Sequence, residues 1–364
     1  MTTKIFNVAI VGCGIGRSHM TQGYLNNEDR FRVVAVCDLD PVRLDAVADE
    51  FGIARRTTRF DDLLAMDDLD VIDICTPPAI HYGQIMASLA AGKHVICEKP
   101  LVGTLREIDA VMAAEKVAGK LLMPIFQYRY GNSVQKAKAI IDAGIAGRPY
   151  VGTAETYWQR LPEYYAVPWR GKWATELGGV LMTHAIHLHD MLSYLMSPPA
   201  AIFGRIATRV HDIEVEDCAS ATLELQSGAL ASLTATLGAR EEISRLHLAF
   251  ENVTFESSHG PYNPGEDPWR IVPRDAETAA RIDALLDGWT PVPPRFAGQV
   301  RDFYDALTGE APLPVTTADA RAALELIAGF YHSHRTRQEV RFPIDTGHPT
   351  YEGWIPVPQP TSNA

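Results

Sequence analysis

Between Ile5 and about Ile125, short β-branched runs alternate with longer stretches of helical periodicity, a rhythm that predicts βαβ units around a parallel sheet. The expected strands are Phe6 to Val11, Arg32 to Cys37, Val71 to Cys75, His94 to Cys97 and Leu121 to Ile125. Helical patterns cover Ser18 to Asn26, Pro41 to Phe51, His81 to Ala91 and Leu105 to Ala118, with Pro41 at a favourable first helical position. Five strands with intervening helices predict a doubly wound α/β domain over residues 1–125. Beyond Phe126 the pattern changes. A helix over Val134 to Ala143 precedes strands at Pro149 to Gln159, Ile202 to Val210, Cys218 to Leu225 and Ala229 to Leu237. Several alternate with period two, as in Ser220-Ala-Thr-Leu-Glu-Leu, the mark of a sheet with one covered and one wet face. Residues 126–364 are therefore expected to form an α+β domain on a mostly antiparallel, open-faced sheet. Ser257 to Pro273, rich in Gly, Pro and polar residues, predicts a long loop, as does the tail from Pro356.

With 364 residues, 46% hydrophobic and 21% charged, the chain is long enough for two cores. Its 33 basic against 45 acidic residues leave no excess cation to displace counterions from a phosphate backbone, so no nucleic-acid partner is expected. No apolar run approaches a membrane span, and Val8 to Val11 runs into glycines rather than a signal-peptide cleavage site. Five cysteines, at 13, 37, 75, 97 and 218, form no CxxC pair. An odd count without that motif argues against a disulfide framework or a zinc ribbon and fits a reducing cytoplasm. Cys37, Cys75 and Cys97 each end a strand-like run and read as small buried residues.

The first strand runs into Gly12-Cys13-Gly14-Ile15-Gly16-Arg17-Ser18-His19 and then a helix, the context in which a glycine loop sets a pyrophosphate on a helix N-terminus. Gly12 is read as the tight turn and Gly14 as the closest approach to phosphate, with Ile15 and Gly16 completing the loop. The third glycine is displaced: Arg17 stands where a small residue is usual, and Gly16 comes one position early. This is the layout of a Rossmann domain. Asp38 ends the second strand, where a carboxylate accepts from the adenosine ribose hydroxyls, which favours NAD over NADP. Arg43 is close enough to leave dual specificity open, and Asp38 also reads as a turn residue in Asp-Leu-Asp-Pro, where Asp40 is a good helix cap.

Ligands of open α/β sheets bind beyond the carboxyl ends of the strands. Thr76-Pro77-Pro78 with His81 follows one strand and Glu98-Lys99-Pro100 the next, making Thr76, Pro77, His81, Glu98 and Lys99 candidate cofactor contacts. Lys99 is also a candidate for catalysis, because a cation beside a nicotinamide stabilises the alkoxide formed as hydride leaves; the competing reading is a solvated loop lysine. In the second half, Gly178-Gly179 leads into a helix with His184, His187 and Asp190 on one broad face, while His189 points elsewhere. Imidazole titrates near neutrality and suits a general base. Packing histidines at a domain interface are one alternative. A metal site of two imidazoles and a carboxylate is another, but the spacing is not HExxH and no Cys is near, so no metal is expected.

With the glycine loop, the Thr-Pro-x-x-x-His stretch, Glu98-Lys99-Pro100 and His187-x-x-Asp190 in one order, the chain resembles the glucose-fructose oxidoreductase, inositol dehydrogenase and rhizopine catabolism (Gfo/Idh/MocA) family over most of its length. The resemblance implies Lys99 and His187 as the catalytic pair, metal-free chemistry, a substrate held between the domains, and a homo-oligomer, dimer or tetramer. Family members usually carry Asp or Asn four residues before the histidine. Here Thr183 stands there, with His184 or a Thr183-held water in place of a carboxylate relay. Arg129 falls where the family often has an Arg-rich segment, and Trp169-Arg170-Gly171 precedes the catalytic helix as in sugar-processing members. Tyr157, Tyr164 and Trp169 offer flat apolar faces, and Gln159, Arg170, Lys172 and His184 offer donors to a polyhydroxylated ligand. The expected activity is reversible NAD-linked oxidation of a secondary ring hydroxyl on a sugar or cyclitol. An NAD-dependent glycosidase on the same fold and a non-catalytic NAD-binding regulator are the alternatives.

Overall fold

A computed structural model describes residues 4–356 and divides them between two sheets. The first contains β1 (Phe6–Val11), β2 (Phe31–Cys37), β3 (Arg55–Thr57), β4 (Val71–Ile74), β5 (His94–Cys97) and β6 (Leu122–Pro124). All pairs are parallel and the order is β3-β2-β1-β4-β5-β6, so the strand order reverses between β1 and β4. A crevice opens at that switch point, beyond the carboxyl ends of the strands. β4 is buried throughout as Val-Ile-Asp-Ile, as expected for a strand covered on both faces. The five expected strands are all present. β3 was not foreseen, because Arg55-Arg-Thr is a short, polar edge with no apolar run to mark it.

The stretch after the glycine loop is not one regular helix. Gly16–Ser18 forms a single α turn, His19–Gly23 widens to π spacing and Tyr24–Asn26 closes as 3-10. Gly16 accounts for the displaced glycine: a Cβ there would meet Ile10 Cγ2 of β1 at 2.5 Å, so Gly16 provides the close approach of helix to strand. Arg17 points outward to Glu50, at 2.5 and 2.7 Å.

The second sheet has eight strands in the order β13-β12-β11-β7-β10-β9-β8-β14. These are β7 (Pro149–Gln159), β8 (Pro199–Ala207), β9 (Cys218–Leu225), β10 (Leu230–Thr236), β11 (Gly238–Phe250), β12 (Val253–Glu256), β13 (Arg270–Pro273) and β14 (Val340–Arg341). Every pair is antiparallel except β7 with β10. One face carries the helices Ile186–Met196 and Thr317–Thr336, and the other presents Ser220, Thr222 and Glu224 of β9 to solvent. β13 lies at the end of the segment expected to be loop, where Arg270-Ile-Val-Pro pairs with β12; Pro273 at its terminus masks the signal. The tail expected to be loop lies, past Pro356, outside the described residues.

The Arg295–Thr308 helix returns to the first sheet. Phe296 packs on His19, Phe303 stacks on Phe31, and Gln299 Nε2 donates to the Pro124 carbonyl at 2.8 Å. Both sides of the cleft are thus tied together by buried aromatic rings and by a side-chain donor matched to a buried carbonyl.

Candidate active site

The glycine loop is built to receive a dinucleotide. Gly12 has φ +93°, and a Cβ there would meet the Cys75 carbonyl at 2.5 Å, so only glycine turns the chain between β1 and β4. A Cβ at Gly14 would meet no protein atom within 4 Å. The protein therefore leaves space above Gly14, which fits a phosphate approaching the backbone. Asp38 anchors this loop: Oδ2 accepts from the Cys13 N–H at 2.8 Å and Oδ1 from the Asp40 N–H at 2.9 Å, with Arg43 3.5 Å away. Asp40 caps the Pro41–Glu50 helix through Val42 and Arg43. Ile15 is exposed at the loop, and Thr76 and Pro77 are partly exposed after β4.

His81 is a different matter. Its Nδ1 faces the Pro100 carbonyl at 3.0 Å and its Nε2 the Thr76 carbonyl at 2.7 Å, with the ring fully buried. Burial pushes its pKa down. Expected as a cofactor contact, His81 instead lies buried between the loops after β4 and β5, where the neutral ring donates its one N–H to one of these two carbonyls.

Glu98 also faces inward. His19 sits between Glu98 (2.9 Å) and Asp73 (2.8 Å), and Tyr24 donates to the same Asp73 oxygen at 2.9 Å. Burial alone would lower the His19 pKa, but Asp73 and the neighbouring Cys75 thiol outweigh it and hold it well above the ordinary range. Burial likewise opposes ionisation of Glu98, yet contact with His19 holds its pKa below the usual value. Glu98 Oε2 accepts from the Lys99 N–H at 3.1 Å, which fixes the backbone that presents Lys99.

The partly buried Lys99 Nζ donates to the Thr183 carbonyl at 2.7 Å, crossing from the first domain to the second. Thr183 lies in a π-type turn, Leu181–Ala185, which feeds the Ile186–Met196 helix, so His187 follows about one turn later. Glu216 receives the Gly179 and Leu181 N–H groups at 3.0 and 3.1 Å and so caps the start of this segment; burial raises its pKa to about 7. His187 stacks on Tyr128 with ring centroids 4.3 Å apart, and its buried Nδ1 has no partner among the described residues. Burial first, then the Lys99 and Arg295 charges, hold its pKa well below the ordinary histidine value, leaving a neutral imidazole. Burial lowers the Lys99 pKa as well.

His184 lines the same cleft. Its Nδ1 is 2.6 Å from Thr183 Oγ1, and Arg160 Nε approaches Nε2 at 3.1 Å. The Thr183 hydroxyl, which also donates to the Gly179 carbonyl at 2.7 Å, therefore orients His184. Arg170 stacks over Tyr164 at 3.9 Å and Trp169 at 4.3 Å and pairs with Glu176 at 3.3 Å. Lys172 is exposed beside this wall.

Two expected substrate contacts lie elsewhere. Arg129 is buried and bound through Nε and Nη2 to Asp190 at 2.7 and 2.6 Å and to Asp319 at 2.8 Å, so it is committed to an ion pair inside the protein. Asp190 is correspondingly no partner to the histidines, and the imagined helical metal set is not assembled. Among the described residues, the group close enough to hold an ion is His19, Asp73 and Cys75, all buried. Tyr157 bonds Thr234 at 2.9 Å on the sheet face opposite the Ile186–Met196 helix. Side chains alternate along β7, and the inward position is Trp158, edge-on to His184 at 5.1 Å. Gly152, Ala154 and Thr156 share the face of Trp158, a small-residue series that marks the side packed under a helix. Tyr128 and Arg160 also went unforeseen, since neither sits in a recognisable motif.

A dinucleotide crevice joined to a Lys-His cleft across two domains defines this protein's class as that of Rossmann-fold oxidoreductases. Residues 6–126 match the oxidoreductase family with NAD-binding Rossmann fold (GFO_IDH_MocA), and residues 134–256 match the GFO/IDH/MocA C-terminal domain. The chain belongs to the Gfo/Idh/MocA oxidoreductase family. It is 31% identical to the uncharacterized oxidoreductase YrbE of Bacillus subtilis over 63% of this chain and 66% of that protein. Identity to the D-glucoside 3-dehydrogenase of Escherichia coli is 28%, over 63% of this chain and 70% of the relative. The match thus spans just under two thirds of YrbE. The WlbA dehydrogenase from Bordetella pertussis, solved with NADH and UDP-GlcNAcA, superposes with a TM-score of 0.83 at 26% identity, covering 95% of this chain and all of that one. No helix among the described residues is long and apolar enough to cross a membrane.

Proposed function

We propose that the protein is a cytoplasmic NAD-dependent dehydrogenase that oxidises a secondary ring hydroxyl of a sugar or cyclitol, reversibly and without a metal. The observation that carries this is the 2.7 Å bond from Lys99 Nζ to the Thr183 carbonyl, one turn from His187. It brings an ammonium and a neutral imidazole to one cleft beside the dinucleotide crevice. The loop from Gly12 to Gly16, with Asp38, Arg43, Thr76 and Pro77, holds NAD; when bound, NAD supplies the hydride acceptor. His187 takes the hydroxyl proton, and Lys99 donates a hydrogen bond to the oxygen as negative charge develops on it. Lys99 delivers the positive charge that a metal would bring to such a site. His184, Arg170, Trp169, Trp158 and Arg160 shape the rest of the pocket. We assign residues 1–125 to cofactor binding and 126–364 to substrate binding and self-association through the open sheet face, giving a homo-oligomer.

The test is NADH formation over a panel of cyclitols, aldoses and glycosides, with NADP in parallel. NAD-linked oxidation is expected, whereas sugar release without NADH accumulation points to a glycosidase and silence across the panel to a regulator. The pH profile gives a second readout. His187 must be neutral, so oxidation persists above its depressed pKa and declines only well below pH 6.5. Lys99 must be protonated, so rate falls on the alkaline side at a pH below 10.5. An acid limb at or above pH 6.5 would contradict the assignment of His187 as the base.

A further inference from the structure

His184 is buried, and burial first, then the charges of Arg160, Lys99 and Arg170, hold its pKa well below the ordinary value, so the ring is neutral. A neutral imidazole has one N–H and one acceptor nitrogen, and its neighbours decide which is which. Arg160 Nε, 3.1 Å from Nε2, only donates. The Tyr164 hydroxyl, 3.4 Å from the same nitrogen, accepts from Arg170 Nη1 and has its own hydrogen left to give. Nε2 is therefore the acceptor, and Nδ1 carries the proton. Nδ1 then donates to Thr183 Oγ1 at 2.6 Å, and that hydroxyl passes its hydrogen to the Gly179 carbonyl at 2.7 Å. The bonds run one way, from Arg160 through His184 and Thr183 to Gly179, and the carbonyl of Thr183 is the group that receives Lys99 Nζ.

Arg160 is fixed at the head of this chain. Its Nη1 lies within hydrogen-bonding distance of the Gln159 carbonyl at 2.8 Å, the Tyr262 hydroxyl at 3.1 Å and Glu242 at 3.3 Å. The rings of Trp158 and Tyr164 lie 5.1 Å from its guanidinium carbon and that of Tyr262 5.9 Å. A guanidinium does not surrender its protons, so a donor locked in this cage holds the imidazole in one tautomer. With donors on Nε2, His184 has no lone pair to offer a substrate hydroxyl, and proton transfer falls to His187.

We infer that Arg160 is a positioning residue for Lys99: by donating to His184 Nε2 it keeps the ring proton on Nδ1, which fixes Thr183 and with it the carbonyl that seats the ammonium. The inference rests on the dehydrogenase reading and deepens it, giving His184 the part of a donor to Thr183 in place of a proton relay.

The experiment reads the tautomer by proton–nitrogen correlation spectra of ring-labelled histidine in the NADH-loaded protein, with His184→Asn assigning the signals. Arg160→Gln and Arg160→Met are compared with wild type, because glutamine Nε2 falls where arginine Nε stands and methionine fills the same length without a donor. Wild type and Arg160→Gln are expected to show the Nδ1–H form, and Arg160→Met to populate the Nε2–H form that free histidine prefers in water. On the substrate of the cyclitol, aldose and glycoside panel with the highest rate, kcat is expected to fall about 10-fold in Arg160→Met, with a smaller change in KM, and less in Arg160→Gln, because one hydrogen bond that orients a catalytic donor is lost and then restored. Nε2–H on His184 in wild type, or a lowered Tm in both variants with tautomer and kcat unmoved, overturns the inference and leaves the dehydrogenase reading intact. Should Arg160→Met fail to fold, His184→Asn against His184→Leu decides: asparagine keeps an N–H near the Nδ1 position and cannot titrate, so a higher kcat in His184→Asn supports the donor role and equal losses overturn it. Silence of wild type across the panel counts against the dehydrogenase reading, and the spectra then decide the inference.

Discussion

A Lys99→Met enzyme is expected to lose about 100- to 1,000-fold in kcat, the usual loss when one preorganised donor to a developing oxyanion is removed. Methionine keeps the apolar stem and deletes only the ammonium, so the cleft retains its shape. Because the donor acts on charge that appears mainly in the transition state, kcat falls far more than KM rises. Cofactor binding by the glycine loop and Asp38 should survive, which an NADH fluorescence titration checks. Wild-type turnover in this variant would remove Lys99 from the chemistry and with it the proposed mechanism.

Arg129→Leu is expected to cost about 3–5 kcal/mol of stability, because it strands buried carboxylates without their cation. Asp190 is bound through two donors and Asp319 through a third, and burial would lower the Arg129 pKa were it not for these carboxylates, which raise it. These contacts link the segment after β6 to the Ile186–Met196 helix and to the capping-box start of the Thr317–Thr336 helix. A substrate-binding arginine would instead raise KM and leave the urea midpoint alone. Asp190→Asn combined with Arg129→Leu should recover part of the loss, since the stranded charge is gone. A midpoint shift worth less than about 1 kcal/mol would show that Arg129 is not the buried counterion described above.

The sequence makes the first domain legible because its strands are buried on both faces and punctuated by glycine loops, so pattern and motif agree. Lys99, Gly12, Gly14 and Asp38 stand out as candidates by their places at strand ends, whereas His187 is singled out among the helix histidines only by the family resemblance. Other parts depend on information that a linear pattern does not hold. Tyr157 and Trp158 differ by one position, and the direction of the helix packed on β7 decides which of them meets the cleft. Arg129 and His81 carry functional groups, but their partners, Asp319 and the Pro100 carbonyl, are distant or unmarked in the chain. The His19–Asp73–Glu98 network has the same character: three residues from three elements whose meeting is set by the order of β1, β4 and β5.

The convergence of Lys99 and His187 is tested most directly by the pKa of His187 itself, followed by NMR of ring-labelled histidines and assigned with a His187→Asn variant. Beside the Lys99 ammonium, His187 should titrate well below 6.5, and Lys99→Met should move its midpoint upward as the neighbouring charge disappears. An identical midpoint in both proteins would mean that the two side chains do not share a cleft.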